Sequence, residues 1–161
     1  LYIQILYIQL KIENIIKTEV ELPISRKAIV NLLYTENWIM EKINLELKTY
    51  DISIQQFNVL RILKGQKGKP ANLSTIQERM VSKMSNTTRL VDKLIHKGYV
   101  KRDTCPSNRR KVEITITQEG KIFIDNISPI MTTFEDQLTS NLSKEDLTHL
   151  NELLNKLRDI N

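Results

Sequence analysis

Between residues 53 and 117 the apolar residues change period, from about 3.6 to 2, and the change falls after Gly98. Ahead of it, Ser53-Ile54-Gln55-Gln56 is a capping box, in which the hydroxyl and the Gln amide satisfy backbone N–H groups reciprocally. Ile54, Phe57, Leu60 and Leu63 give that helix an apolar face; Gly65 ends it, and GQKGKP is a loop. Ser74-Thr75-Ile76-Gln77 repeats the capping pattern and predicts a short helix to about Met80 or Val81. After a turn, a further helix is expected from about residue 83 to 97. Leu90, Leu94 and Ile95, with Thr87 or Val91, face inward, and Gly98 stands at C′. Residues 99–102 then read as a short strand. Val112, Ile114 and Ile116, alternating with Glu113, Thr115 and Thr117, read as a second. Residues 103–111 between them are turn formers and positive charge.

Two short helices joined by a turn, then a two-stranded hairpin with a basic tip, describe a winged helix-turn-helix. The second helix can enter the major groove of duplex DNA, where base edges carry a distinguishable code. The hairpin tip then lies near the adjacent minor groove, whose negative potential favours Arg.

Charge is distributed to match. The chain carries 24 Lys+Arg and 19 Asp+Glu, a formal +5. Residues 61–112 hold 14 basic residues against three acids (Glu78, Asp92 and Asp103), an excess of eleven, and the remainder is net −6. A basic middle between acidic flanks is the footprint of a nucleic-acid-binding unit set in a scaffold.

The flanks read as helices. Residues 25–48 predict a long one that Ser25 can cap. Ala28, Leu32, Ile39, Ile43 and Leu47 lie near one stripe, with Ile29, Leu33 and Trp38 beside it. Thr117 can cap a helix from about residue 118 to 138, which Pro129 is expected to kink. Ser143-Lys144-Glu145-Asp146 opens a last helix with Leu147, Leu150, Leu154 and Leu157 at heptad-like spacing.

The opening LYIQILYIQL is apolar but falls well short of the roughly 20 residues of a membrane span. It also lacks the basic start and small-residue cleavage site of a signal peptide. It reads as the first turns of a helix packed on something, for instance a second subunit. The chain begins with Leu rather than Met, as either trimming or a literally translated non-AUG codon would give.

One cysteine, Cys105, excludes an intrachain disulfide framework and any multi-Cys zinc module, and two histidines leave little for a metal site. No nucleophile–base pair, phosphate-binding Gly loop or metal cluster argues for an enzyme, and no cofactor is expected. The composition suits a reducing, cytoplasmic setting.

The chain resembles the MarR (multiple antibiotic resistance regulator) family of bacterial regulators from about residue 27 to 160. The resemblance is carried by Ser74-Thr-Ile-Gln-Glu-Arg-Met80, by Thr88-Arg-Leu-Val-Asp-Lys-Leu-Ile-His-Lys-Gly-Tyr-Val-Lys-Arg102 and by Asn108-Arg-Arg-Lys-Val-Glu-Ile-Thr-Ile-Thr-Gln-Glu-Gly120. Leu142 to Leu150 is similar to the family's last helix. The resemblance implies an obligate homodimer whose N- and C-terminal helices interlock above two winged lobes. It also implies a repressor, sometimes an activator, released from DNA by a small ligand or by oxidation. One departure stands out. The family's wing usually places an Asp directly before an Arg pair or two residues ahead of it, whereas Ser107-Asn108 precede Arg109-Arg110 here. An Asp would order the wing by pairing with an arginine; Asn108 brings no charge.

The fold class expected is therefore mainly α with a small β-wing. Residues 1–50 and 119–161 supply helical dimerisation elements, and residues 51–118 form the winged lobe. The DNA-binding candidates are Ser85, Asn86, Thr88, Arg89 and Lys93 on the recognition helix and Arg109, Arg110 and Lys111 on the wing. Each has a structural alternative: Arg89 could pair with Asp92 at i+3, Ser85 and Asn86 could only start the helix, and Arg110 could pair internally at the wing base. Cys105 is read as an inert wing cysteine, although Arg102 and Arg109 could lower its pKa and make it an oxidant sensor. His96 reads as a cation at a helix C-terminus.

Tyr34, Trp38 and Phe57, with Tyr50, are candidates for holding a small aromatic effector, against ordinary core packing. The function expected is a sequence-specific, homodimeric regulator, in first place a repressor, on a pseudo-palindromic operator in double-stranded DNA. A non-specific nucleoid-type binder and a winged-helix protein-interaction module are the alternatives.

Overall fold

The structure is a computed structural model that describes residues 11–104 and 112–159. Its chain divides into two compact units at Asp51/Ile52. The first holds a single-turn helix α1 (Ile12–Ile15) and the long α2 (Ile24–Lys48). Ile12 is buried, and a 2.7 Å ion pair from Lys27 to Glu13 ties α1 to α2. The Lys27 ammonium, as hydrogen-bond partner, holds the Glu13 carboxyl below its ordinary range. Ser25 does not cap α2. The N-cap is Pro23, without a side-chain hydrogen bond, and Ser25 lies one residue inside the helix. Proline arrives with its φ already fixed, and its carbonyl accepts the Lys27 N–H at 2.9 Å as the first helical bond. The expected apolar stripe is only partly covered: Leu47 is buried and Ile39 and Ile43 are half-buried, but Ala28 and Leu32 are exposed.

The second unit runs α3 (Ile54–Gly65), α4 (Leu73–Arg79), α5 (Thr87–His96), β1 (Val100–Thr104), β2 (Val112–Ile116), α6 (Gln118–Leu138) and α7 (Lys144–Arg158). The capping box read at Ser53/Gln56 forms reciprocally, and Ser143, read as the opening of the last helix, forms a second with Asp146. The core gathers around α3, which packs on α4, α5, α6 and β2. Phe57, Val59, Leu60 and Leu63 of α3 are buried, as are Ile76, Val91, Leu94, Ile114, Ile124 and Ile127 on the elements it packs against. Burial of each such aliphatic side chain contributes about 1.5–3 kcal/mol.

β1 and β2 pair antiparallel, with Val100 opposite Ile116, Arg102 opposite Ile114 and Thr104 opposite Val112. Ala71, directly after the GQKGKP loop, adds an antiparallel bridge to Ile114, with N–H···O distances of 2.9 and 2.7 Å. The fold is thus mainly helical with one small antiparallel sheet, as the change of period predicts. Helix α6 continues through Pro129, with Ser128 and Thr133 hydroxyls bonding back to the carbonyls of Ile124 and Pro129. In contrast to α3, the terminal α7 buries none of its residues.

Candidate nucleic-acid interface

The interface is built on α4, the turn at residues 80–86, and α5. Asn72, not Ser74, caps α4: its Oδ1 accepts the Thr75 N–H at 2.8 Å, and Ser74 donates its hydroxyl to the same oxygen. Gln77, read from sequence as the second half of a capping box, is released for another task. Its Oε1 accepts the hydroxyl proton of Thr87, the first residue of α5. Its Nε2 donates to the carbonyl of Lys83 in the turn. The Lys83 ammonium in turn donates to the Glu78 carbonyl near the end of α4. One amide therefore holds the two helices and the turn together, and Thr87 is buried against it.

Helix α5 is shorter than its periodicity suggests and starts at Thr87 rather than Lys83. The cause is Asn86, whose Oδ1 accepts the Arg89 N–H at 3.0 Å and makes it the N-cap. Val91 and Leu94 are buried, Leu90 and Ile95 half-buried, and Thr88, Arg89 and Lys93 exposed. The helix closes as read: Gly98, at φ +76, stands at C′. The Gly98 N–H donates to Ile95 O at 2.9 Å and the Tyr99 N–H to Leu94 O at 3.0 Å, the two bonds of a Schellman motif. His96 lies in the last turn, where a cation suits the helix dipole.

Ser85, Asn86, Arg89 and Lys93 line one open groove of about 500 Å³, together with Met84, Leu90, Ser82, Ser53 and Gln55. Thr88 is exposed on the same helix without lining the groove. Asp92 forms its ion pair with Arg102 of β1, at 2.9 Å, rather than with Arg89. That pair joins α5 to the first strand of the hairpin.

The wing's root is held from below. Thr117 caps α6 through the Gly120 N–H at 3.0 Å, and its hydroxyl donates to Gly98 O at 2.7 Å. Tyr99 stacks on Phe123 with ring centroids 4.3 Å apart. The tip candidates Arg109, Arg110 and Lys111, and with them Cys105 and Asn108, lie outside the described residues, as does the apolar opening Leu1 to Leu10.

The three effector candidates are not alike. Phe57 is a core residue of the winged unit with the Arg61 guanidinium 5.8 Å from its ring. Tyr34 and Trp38 are exposed on α2 of the other unit, at 43% and 39%. Among the described residues no cluster of His, Cys, Asp and Glu could hold a metal ion. No helix there is long and apolar enough to cross a membrane.

Residues 52–112, which span α3, the helix-turn-helix and the start of β2, match the MarR family. TcaR, an HTH-type transcriptional regulator of Staphylococcus aureus, is 31% identical over 65% of this chain and 69% of its own length. The chain belongs to the MarR family. The transcriptional repressor MprA of Escherichia coli is 26% identical over 78% of this chain and 71% of its own. The chain thus spans about two thirds of the length of these relatives. The organohalide-sensing regulator RdhR, solved with 2,4-dichlorophenol bound, shares the fold at a TM-score of 0.78 and 20% identity, over 86% of this chain and 81% of its own. Family membership makes this MarR protein a DNA-binding transcriptional regulator rather than an enzyme.

Sequence reasoning missed three features of the interface: Asn72 as the cap of α4, Gln77 as the clamp, and Met84 in the groove wall. Asn immediately before a helix is a cap signal in its own right and could have supplied the first. The other two depend on contacts through space.

Proposed function

We propose that this MarR protein is a homodimeric repressor acting on a pseudo-palindromic operator in double-stranded DNA. The observation that carries the reading is the clamped helix pair: Gln77 fixes α5 relative to α4, and α5 then offers Thr88, Arg89 and Lys93 to solvent with Ser85 and Asn86 at its leading edge. A recognition helix held this way can enter a major groove with its N-terminal residues against base edges. Arg109, Arg110 and Lys111 on the wing are assigned to the adjacent minor groove or the backbone. Dimerisation rests on α7, where Leu150, Leu153 and Leu157 are 41–58% exposed and nothing is buried. A helix bearing such an apolar face and no cover of its own suits a second copy. Repression is the sign that MprA's name favours, and the setting is the cytoplasm of a bacterium.

A small aromatic effector is assigned to Tyr34 and Trp38, the exposed aromatic side chains of α2. Its support is the aromatic character of these side chains and the dichlorophenol held by RdhR. The reading is tested by selecting bound duplexes from a random library with the full chain. A twofold site with half-sites about one helical turn, roughly 10 bp, apart is expected. Random DNA competing as well as the selected duplex refutes a specific operator in favour of a nucleoid-type binder. Absence of salt-dependent binding to any duplex refutes both in favour of a protein-interaction module. Arg109→Ala should weaken binding at every salt concentration with little change in base preference; unchanged affinity removes the wing from the interface.

A further inference from the structure

Met84 is 95% exposed and Val81 is 88% exposed, the two most exposed large apolar residues among those described. Both lie in the turn between α4 and α5, whose one other apolar residue, Met80, is buried. An isolated exposed methionine on a surface needs no explanation, but this one sits on a wall of the groove that Ser85, Asn86, Arg89 and Lys93 share. Its backbone is held on both sides. Before it, the Lys83 carbonyl accepts the Gln77 amide and the Lys83 ammonium reaches back to Glu78. After it, Asn86 caps α5 and Ser85 bonds back to Ser82 O at 3.3 Å. The turn therefore presents an apolar side chain from a fixed point at the leading edge of the recognition helix.

In the major groove the one apolar feature of a base edge is the C5 methyl of thymine. Methionine is unbranched and polarisable, and adapts its shape to such a contact. We propose that Met84 is a specificity-determining residue that packs on a thymine methyl in each half-site and so makes the protein select thymine there. The inference rests on the reading of α5 as the base-reading helix of a twofold regulator. Asn86 complements it: with Oδ1 committed to the cap, its Nδ2 remains a donor to a base acceptor beside the methyl. Arg89 and Lys93, further along the helix, supply attraction to phosphate that is indifferent to sequence.

The experiment uses the full chain and the duplex recovered by selection. Each thymine is replaced by deoxyuridine, one position at a time and symmetrically in both half-sites, which removes the methyl and leaves every hydrogen-bonding group. Dissociation constants are read by fluorescence anisotropy. At one position the wild type is expected to lose about fourfold per half-site, the scale of one buried methyl, and roughly fifteenfold when both half-sites are changed independently. Met84→Ala should bind the thymine duplex more weakly by a similar factor and be indifferent to uracil at that position. Met84→Leu should keep the discrimination.

Three results overturn the inference alone: a selected operator without thymine under α5, wild-type binding insensitive to uracil at every position, or discrimination that survives in Met84→Ala. Failure to recover any preferred duplex overturns the specific-operator reading and this inference with it.

Discussion

Gly120 and Gly65 are both helical glycines, and the structure assigns opposite signs to their replacement by alanine. A Cβ on Gly120 would stand 2.2 Å from the Tyr99 carbonyl oxygen and 2.9 Å from Ile116 Cγ1. That oxygen cannot simply move aside. It accepts the Thr117 N–H at 3.0 Å, and the Tyr99 N–H is fixed to Leu94 O at 3.0 Å by the end of α5. Relief requires the start of β1 to separate from the start of α6. Overpacking of this kind costs about 1–3 kcal/mol, and losing the Thr117–Tyr99 bond costs about 1 kcal/mol more. Against this, alanine is better than glycine inside a helix by up to about 1 kcal/mol. Gly120→Ala should therefore destabilise by about 1–3 kcal/mol net.

Gly65 has nothing within 4 Å of its would-be Cβ and no positive φ, so Gly65→Ala should stabilise by about 0.4–1 kcal/mol. Urea unfolding at one fixed protein concentration reads both, since the apparent stability of a dimer depends on concentration. Because β1 leads into the wing, Gly120→Ala should also weaken DNA binding. If Gly120→Ala is as stable as the wild type, or if both variants shift stability in the same direction, the close approach at the wing root is wrong.

Gln77→Ala leaves the buried Thr87 hydroxyl without its acceptor, an expected loss of about 1–3 kcal/mol in urea unfolding, most of which should return in the double variant Gln77→Ala/Thr87→Val. Arg89→Ala and Lys93→Ala should each lower the slope of log affinity against log salt by about 1 per phosphate contact removed, while a base contact would instead relax preference at one operator position. Ser143→Ala should cost α7 about 1 kcal/mol of capping. The backbone N–H and hydroxyl of Ser143 hold the Asp146 carboxyl below its ordinary range. With the folded-state pKa depressed, the stabilisation is present at neutral pH and is lost as pH falls through and below the ordinary carboxylate range. Circular dichroism should show α7 fraying in that acid window in the wild type, with Asp146→Asn lacking this step.

What the sequence determined by itself is what neighbours along the chain decide. The capping box at Ser53, Ser143 as the opening of α7, Thr117 as the start of α6, Gly98 as the end of α5, and the alternation of Val112, Ile114 and Ile116 all depend on groups within a few residues of one another. Spacing alone therefore names their partners, and with the basic stretch at 61–112 they were enough to point to a winged helix-turn-helix. Local reading failed where two local solutions compete. Ser74 and Asn72 can both cap α4, and Asn72 wins. Ser25 had the residue type of a cap, but Pro23 occupies the position.

The tertiary structure alone decided the contacts that fix the interface. Gln77 reaches Thr87 ten residues away, Asp92 pairs with Arg102 across α5 and β1, Ala71 bridges to Ile114, and the Tyr99 carbonyl excludes a side chain at residue 120. A hydrogen bond or ion pair between distant residues leaves no periodicity in the chain. Its partners become neighbours only after the core around α3 has set the helices in place, and the same packing leaves Met84 outside with nothing of its own unit to cover it.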